Sequence, residues 1–170
     1  MIDQNARTDL LVEYSKADRN QEYFGFMQVW GVVVKMANNF SKTKNEHDRL
    51  IDLVQNLRPE QMKSLFLNDG LYTLCNLDPP LETFQAFRHE NLRKTVQAAV
   101  RRMKTKNTRP SNRIRAICDV LKSIRDKRAH GFKHMGSHRD EEILTAGYFV
   151  ISEIAEAVFE NSTDSNADAV

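Results

Sequence analysis

Cysteine is almost missing from this chain of 170 residues. Cys75 and Cys118 are isolated, and neither sits in a CxxC or other metal-binding spacing. The chain therefore carries no disulfide framework in its pattern. With no N-terminal leader pattern either, a reducing cytoplasm is the expected setting. Long apolar runs are missing too. The stretch "VWGVVVKMA" stops at Lys35, so no segment is long enough to span a bilayer and no membrane role is expected. Neither sign of charge dominates: the formal net charge is +2, so any surface for nucleic acid must be local rather than global. Val, Ile and Thr do not alternate with polar residues over any useful length, which argues against strands. No P-loop, GxSxG or dinucleotide fingerprint is present. "HENLR" at 89–93 lacks the second histidine of a zincin. His130, His134 and His138 are spaced by four, but Gly131 and Gly136 interrupt any single helix through them. No metal site and no cofactor are expected.

What is present is helical periodicity. The chain is long enough to bury one real core, and no internal repeat divides it. Residues 6–18 read as a short first helix. From Asn20 to Asn39, Tyr23, Phe26, Met27, Trp30, Val33, Val34 and Ala37 recur at three and four, with Phe24, Val32 and Met36 widening the stripe. A helix apolar on so much of its surface belongs at the centre of a bundle. Residues 46–57 and 60–68 read as short helices, with Pro59 in a first-turn position and "NDG" at 68–70 as a terminator. Asp78-Pro79-Pro80 breaks the chain before a helix over 81–103. Helices over 111–129 and 139–160 follow. The first carries Ile114, Ile117, Cys118, Leu121 and Ile124 on one stripe. The second carries Ile143, Leu144, Gly147, Tyr148, Ile151, Ile154, Ala155 and Val158. The expected architecture is all-α: a helical bundle with a four-helix core and additional short helices. One domain would span 1–160, with a polar, flexible tail over 161–170. Trp30, Leu121, Ile124 and Tyr148 should lie in or near the core.

The helix over 111–129 ends oddly. At 100° per residue, with Ile114 at zero, Leu121 falls at about 340°, Cys118 at about 40° and Arg125 at about 20°. Arg125 therefore continues the apolar stripe, and Arg128, at about 320°, does the same. A guanidinium there needs an acid, a phosphate or an exit to water. One reading is a helix end emerging from the core, with Arg stems packed, heads hydrated and Gly131 closing the turn. The other is a phosphate site.

The stretch "IRDKRAHG", Ile124 to Gly131, resembles the R-x4-6-H motif of the HEPN superfamily. A polar residue often follows the Arg in that family, as Asp126 does here. The likeness extends to architecture: a helical bundle in which the motif closes the third core helix before the fourth. The core helices would be 20–39, 81–103 or a segment before it, 111–129 and 139–160. Many members are metal-independent endoribonucleases that cleave RNA by 2′-hydroxyl attack on the adjacent phosphate. The resemblance implies His130 as the proton-transfer residue and Arg125 as the phosphate clamp. It also implies an orienting role for Asp126, with Lys127 and Arg128 as auxiliary phosphate contacts. Family nucleases commonly form homodimers with two motifs facing across one cleft, and some act as toxins or phage-defence effectors with an antitoxin or defence partner. One subgroup extends the motif to R-x4-H-x-Y, with the Tyr modified by the antitoxin. Phe132 stands at that position here, which argues against such control.

Between Asn91 and Cys118 there is no Asp or Glu. Arg101, Arg102, Lys104, Lys106, Arg109 and Arg113 fall in that window, with Arg93, Lys94 and Arg115. Such a stripe can track an RNA backbone, or it can be a solvated loop balanced by acids elsewhere. Aromatic residues barely interleave it, which argues against base stacking. Two other classes fit the same pattern. One is a non-catalytic helical domain that binds RNA, nucleotide or a protein partner. The other is an all-α regulatory protein whose motif is purely structural.

Overall fold

The computed structural model describes residues 4–15, 22–43, 45–77, 97–105, 108–129 and 138–167. Among them every regular element is a helix, and the fold is an all-α bundle. In chain order these are α1 (Gln4–Ser15), α2 (Glu22–Phe40), α3 (Glu46–Gln55), α4 (Pro59–Leu67) and α5 (Asp69–Leu77). They are followed by α6 (97–104), α7 (Pro110–Ala129) and α8 (His138–Ala167). Of the helix expected over 81–103, only the last part lies within the described residues. No described helix is long and apolar enough to cross a membrane.

Four helices close a ring. α2 packs on α8, α8 on α7, α7 on α3 and α3 back on α2. α3 thus completes the ring among the described residues. The apolar stripes meet inside the ring. Phe26, Val29, Trp30, Val33 and Met36 come from α2, and Leu50 and Val54 from α3. Ile117, Leu121 and Ile124 come from α7, and Ile151 and Ile154 from α8; all are buried. Each such side chain contributes about 1.5–3 kcal/mol on leaving water. Tyr148 packs against the cluster from its edge.

Local chemistry sets the helix ends. Asn45 caps α3 by accepting a hydrogen bond from the His47 backbone N–H at 2.9 Å. Glu46 and Asp48 then sit in the first turn, where the helix dipole favours carboxylates. Pro59 opens α4, and Gln61 Oε1 accepts from the Arg58 N–H at 3.1 Å. Gln61 is buried, and its amide donates to the Ala157 carbonyl at 2.9 Å, tying α4 to α8.

Asn68 is the terminator that the sequence predicts, and it does more. It ends α4, and its Oδ1 also accepts from the N–H groups of Gly70 at 2.9 Å and Leu71 at 3.3 Å, so it starts α5. α5 lies along α8, where Gly70 presses on the Ala146 carbonyl. At its far end the Leu77 carbonyl accepts from Arg139 Nη2 at 2.7 Å, near the start of α8. The α8 backbone stays helical through Ala167, into the segment read as a tail.

Candidate functional site

The site is built on the side of α7 that meets the N-terminus of α3. Arg125 continues the buried row of Ile117, Leu121 and Ile124, as its angular position requires. Its guanidinium meets two acids. Nη1 donates to Asp126 Oδ1 at 2.7 Å. Nη2 donates to Glu46 Oε1 at 3.1 Å and reaches Oε2 at 3.5 Å. The guanidinium carbon lies 5.7 Å from the centroid of Trp30, within cation–π range. The Arg125 side chain is 28% exposed and that of Glu46 35%, so the group sits at the rim of the core rather than inside it.

Asp126 is shared. Its Oδ2 accepts from Lys122, one helical turn earlier. Burial alone would raise its carboxyl. The hydrogen bonds and charges of Lys122 and Arg125 outweigh that, and the net shift is below the ordinary value near 3.8. Asp126 is therefore a carboxylate across the neutral range. Two cations and two anions, Arg125 and Lys122 with Glu46 and Asp126, make a locally neutral network.

A second node lies further back along α7. His47, next to Glu46, places Nε2 2.8 Å from Asp119 Oδ1. Arg102 of α6 approaches the other Asp119 oxygen at 4.0 Å. The His47 Nδ1 atom and the Trp30 indole nitrogen are buried and have no hydrogen-bond partner among the described residues. The adjacent residues Glu46 and His47 thus pin α3 to two levels of α7.

The remaining sequence-derived residues divide. Lys127 and Arg128 fall in the last turn of α7. His130 and Lys106 lie outside the described residues, as does Phe132. Arg101, Arg102, Lys104, Arg109 and Arg115 are exposed. Arg113 is different. Its guanidinium stacks 4.3 Å from the Phe66 centroid and donates to the Phe66 carbonyl at 3.3 Å, which binds α7 to α4. Elsewhere, a groove of about 390 Å³ between α4 and α8 is lined by Glu60, Glu153, Glu156 and Glu160 with Arg58. Its charge suits no phosphate. Among the described residues no three His, Cys, Asp or Glu side chains are grouped to hold a metal ion.

Sequence reasoning placed Arg125 and Asp126 but missed Glu46, His47, Asp119 and Lys122. The apolar position of Arg125 signalled that an acid was needed. Nothing in "NNFSKTKNEHD" identified Glu46 as that acid across a separation of 79 residues. No family model matches this chain, and neither the curated proteins nor the solved structures contain a significant match to it.

Proposed function

We propose that this chain is a HEPN-type endoribonuclease that cleaves RNA without a metal, by 2′-hydroxyl attack on the adjacent phosphate. The observation that carries the reading is a partly exposed guanidinium at the end of an apolar stripe, five residues before a histidine. Asp126 and Glu46 hold its plane, and Trp30 backs it. A guanidinium fixed in this way is prepared to meet the negative charge that develops on a pentacoordinate phosphorus. His130 moves the proton, because an imidazole titrates near neutrality. Asp126 orients the guanidinium and keeps Lys122 beside it. The exposed Arg101, Arg102, Lys104, Arg109 and Arg115 carry the flanking backbone. A second copy of the chain supplies the other imidazole in a homodimer, and a toxin or phage-defence role with a partner protein fits such an enzyme.

The test uses His130→Ala and Arg125→Ala with an RNA substrate in EDTA. The parent should cut and leave a 2′,3′-cyclic phosphate or its 3′-phosphate product. Each variant should lower cleavage by on the order of 10²-fold or more while staying folded. A melting control is needed for Arg125→Ala, because that change also strands Glu46. Folded variants that cut like the parent would make the motif structural.

A non-catalytic reading draws on one observation: Arg125 already has two carboxylate partners. An arginine so occupied can serve simply to join α7 to α3. A parent that binds RNA or a protein through this face but never cleaves RNA would select that reading.

A further inference from the structure

We infer that Glu46 is an internal substitute for substrate: the carboxylate that a phosphodiester displaces from Arg125. The inference rests on the phosphate-clamp part of the function proposed above. In the arrangement described, both terminal nitrogens of Arg125 already face an acid. Bidentate phosphate binding needs two neighbouring N–H donors pointing the same way. Nη1 donates to Asp126 and Nη2 to Glu46, so one donor of each terminal nitrogen is held by an acid. Both acids would also repel an incoming phosphate at contact distance. One of them has to leave.

The two acids are not equivalent. Asp126 adjoins Arg125 in the chain, sits on the same helix and holds Lys122 as well. Releasing it would strand two cations. Glu46 comes from a different helix, is the more exposed of the two, and holds Arg125 through the longer contacts, 3.1 and 3.5 Å. Its release has a soft landing. It remains in the first turn of α3, where the helix dipole still favours a carboxylate. Arg125 keeps Asp126 on one side and Trp30 behind it, so the freed donors keep their direction. Neighbouring His47 stays anchored to Asp119, so the exchange needs no movement of α3 as a whole.

Such a site discriminates by charge density. A small monoanion gains little by replacing a carboxylate that is already in place. A polyanionic strand does gain, because its other phosphates meet the exposed basic residues of 101–115 at the same time. The ligand class is therefore an extended phosphodiester chain rather than a free nucleotide.

Trp30 is the single tryptophan of the chain and lies in contact range of the Arg125 guanidinium, so its emission reports the exchange. The experiment titrates the full chain with an uncleavable 2′-O-methyl oligoribonucleotide, following both affinity and Trp30 emission. Glu46→Gln should bind roughly three- to tenfold tighter than the parent, the size expected for losing one partly exposed competing charge. Arg125→Ala should bind more weakly and lose the emission change. Glu46→Ala, with its fold checked by melting, should tighten binding in the same direction and serves if Glu46→Gln is unstable. Equal or weaker binding by folded Glu46 variants would overturn the inference and make Glu46 a support for Arg125. Binding indifferent to Arg125→Ala would overturn it as well. Tighter, Arg125-dependent binding by Glu46→Gln in a chain that never cleaves RNA would uphold the exchange and refute only the nuclease.

Discussion

Three helical glycines supply a graded test of the packing. Replacing each by alanine adds the same methyl group against a different wall. At Gly31 in α2 a new Cβ meets nothing within 4 Å. Only the helix preference of alanine over glycine operates there, so Gly31→Ala should stabilise by about 0.5–1 kcal/mol. At Gly147 in α8 the Cβ would lie 3.2 Å from Ile124 Cδ1 and 3.2 Å from Phe26 Cε2. The Ile124 methyl is the tip of a flexible chain and the Phe26 ring is not. The two effects nearly cancel, leaving a change within about 1 kcal/mol of zero. At Gly70 the Cβ would fall 2.5 Å from the Ala146 carbonyl oxygen, 2.9 Å from Asn68 Oδ1 and 3.0 Å from Phe149 Cβ. The first wall is backbone, and the second is the atom that caps α5. Neither yields cheaply, so Gly70→Ala should destabilise by about 1–3 kcal/mol. For a chain of this size that lowers the melting temperature by roughly 2–10 °C. Urea unfolding followed by far-UV circular dichroism gives the order directly: Gly31→Ala above Gly147→Ala above Gly70→Ala. If Gly70→Ala matched or exceeded the parent, the close packing of α5 on α8 would be wrong, and with it the support for the start of α8.

Two further outcomes follow from the charged groups. Asp126 has a depressed carboxyl, so its ion pairs stabilise the fold above the ordinary carboxylate value and are lost as pH falls through the lower folded value. Asp126→Asn should therefore be less stable than the parent by about 1 kcal/mol near neutral pH, and the gap should close below about pH 4. A gap independent of pH in urea titrations would show that the charge of Asp126 is not what is bound. Neutralising Arg101, Arg102, Lys104 and Lys106 together should weaken RNA binding and flatten its salt dependence, at a cost in stability no larger than about 1 kcal/mol for the Arg102–Asp119 pair. Arg113→Gln should do the reverse, lowering stability by about 1 kcal/mol through Phe66 while leaving the salt slope alone. Fluorescence anisotropy across a salt series separates the two.

Much of the bundle was legible because its stripes are long. The row Ile114, Ile117, Cys118, Leu121, Ile124 needs only the helical period to be read, and all five are buried. The same period put Arg125 on that row. Of the shorter helices, α3 and α4 were legible, and α5 escaped for local reasons. α5 has 9 residues, too few for a clear stripe, and Asn68 reads as an end because one side chain serves two helices. Arg113 looked like part of a basic surface, because composition does not reveal which arginine has a ring beside it. Glu46 and Asp119 were invisible as site residues for a different reason. Each is an ordinary acid on a helix, and its meaning comes from a partner far away in the chain. Periodicity reports which face is buried, and it does not report which helices cross.

α8 has a consequence for synthesis. It runs 30 residues and packs against α2, α4, α5 and α7. It also receives α1, through the Tyr14 hydroxyl on Glu156 at 2.7 Å and Arg7 on the Phe159 carbonyl at 3.3 Å. These last contacts join residues 142 and 152 positions apart. During translation α1 and α2 are made well before α8, the surface they pack on. α2 spends that interval without its contact to α8, leaving part of its apolar stripe open to a holding chaperone. The ring of four helices can close only once α8 has been made.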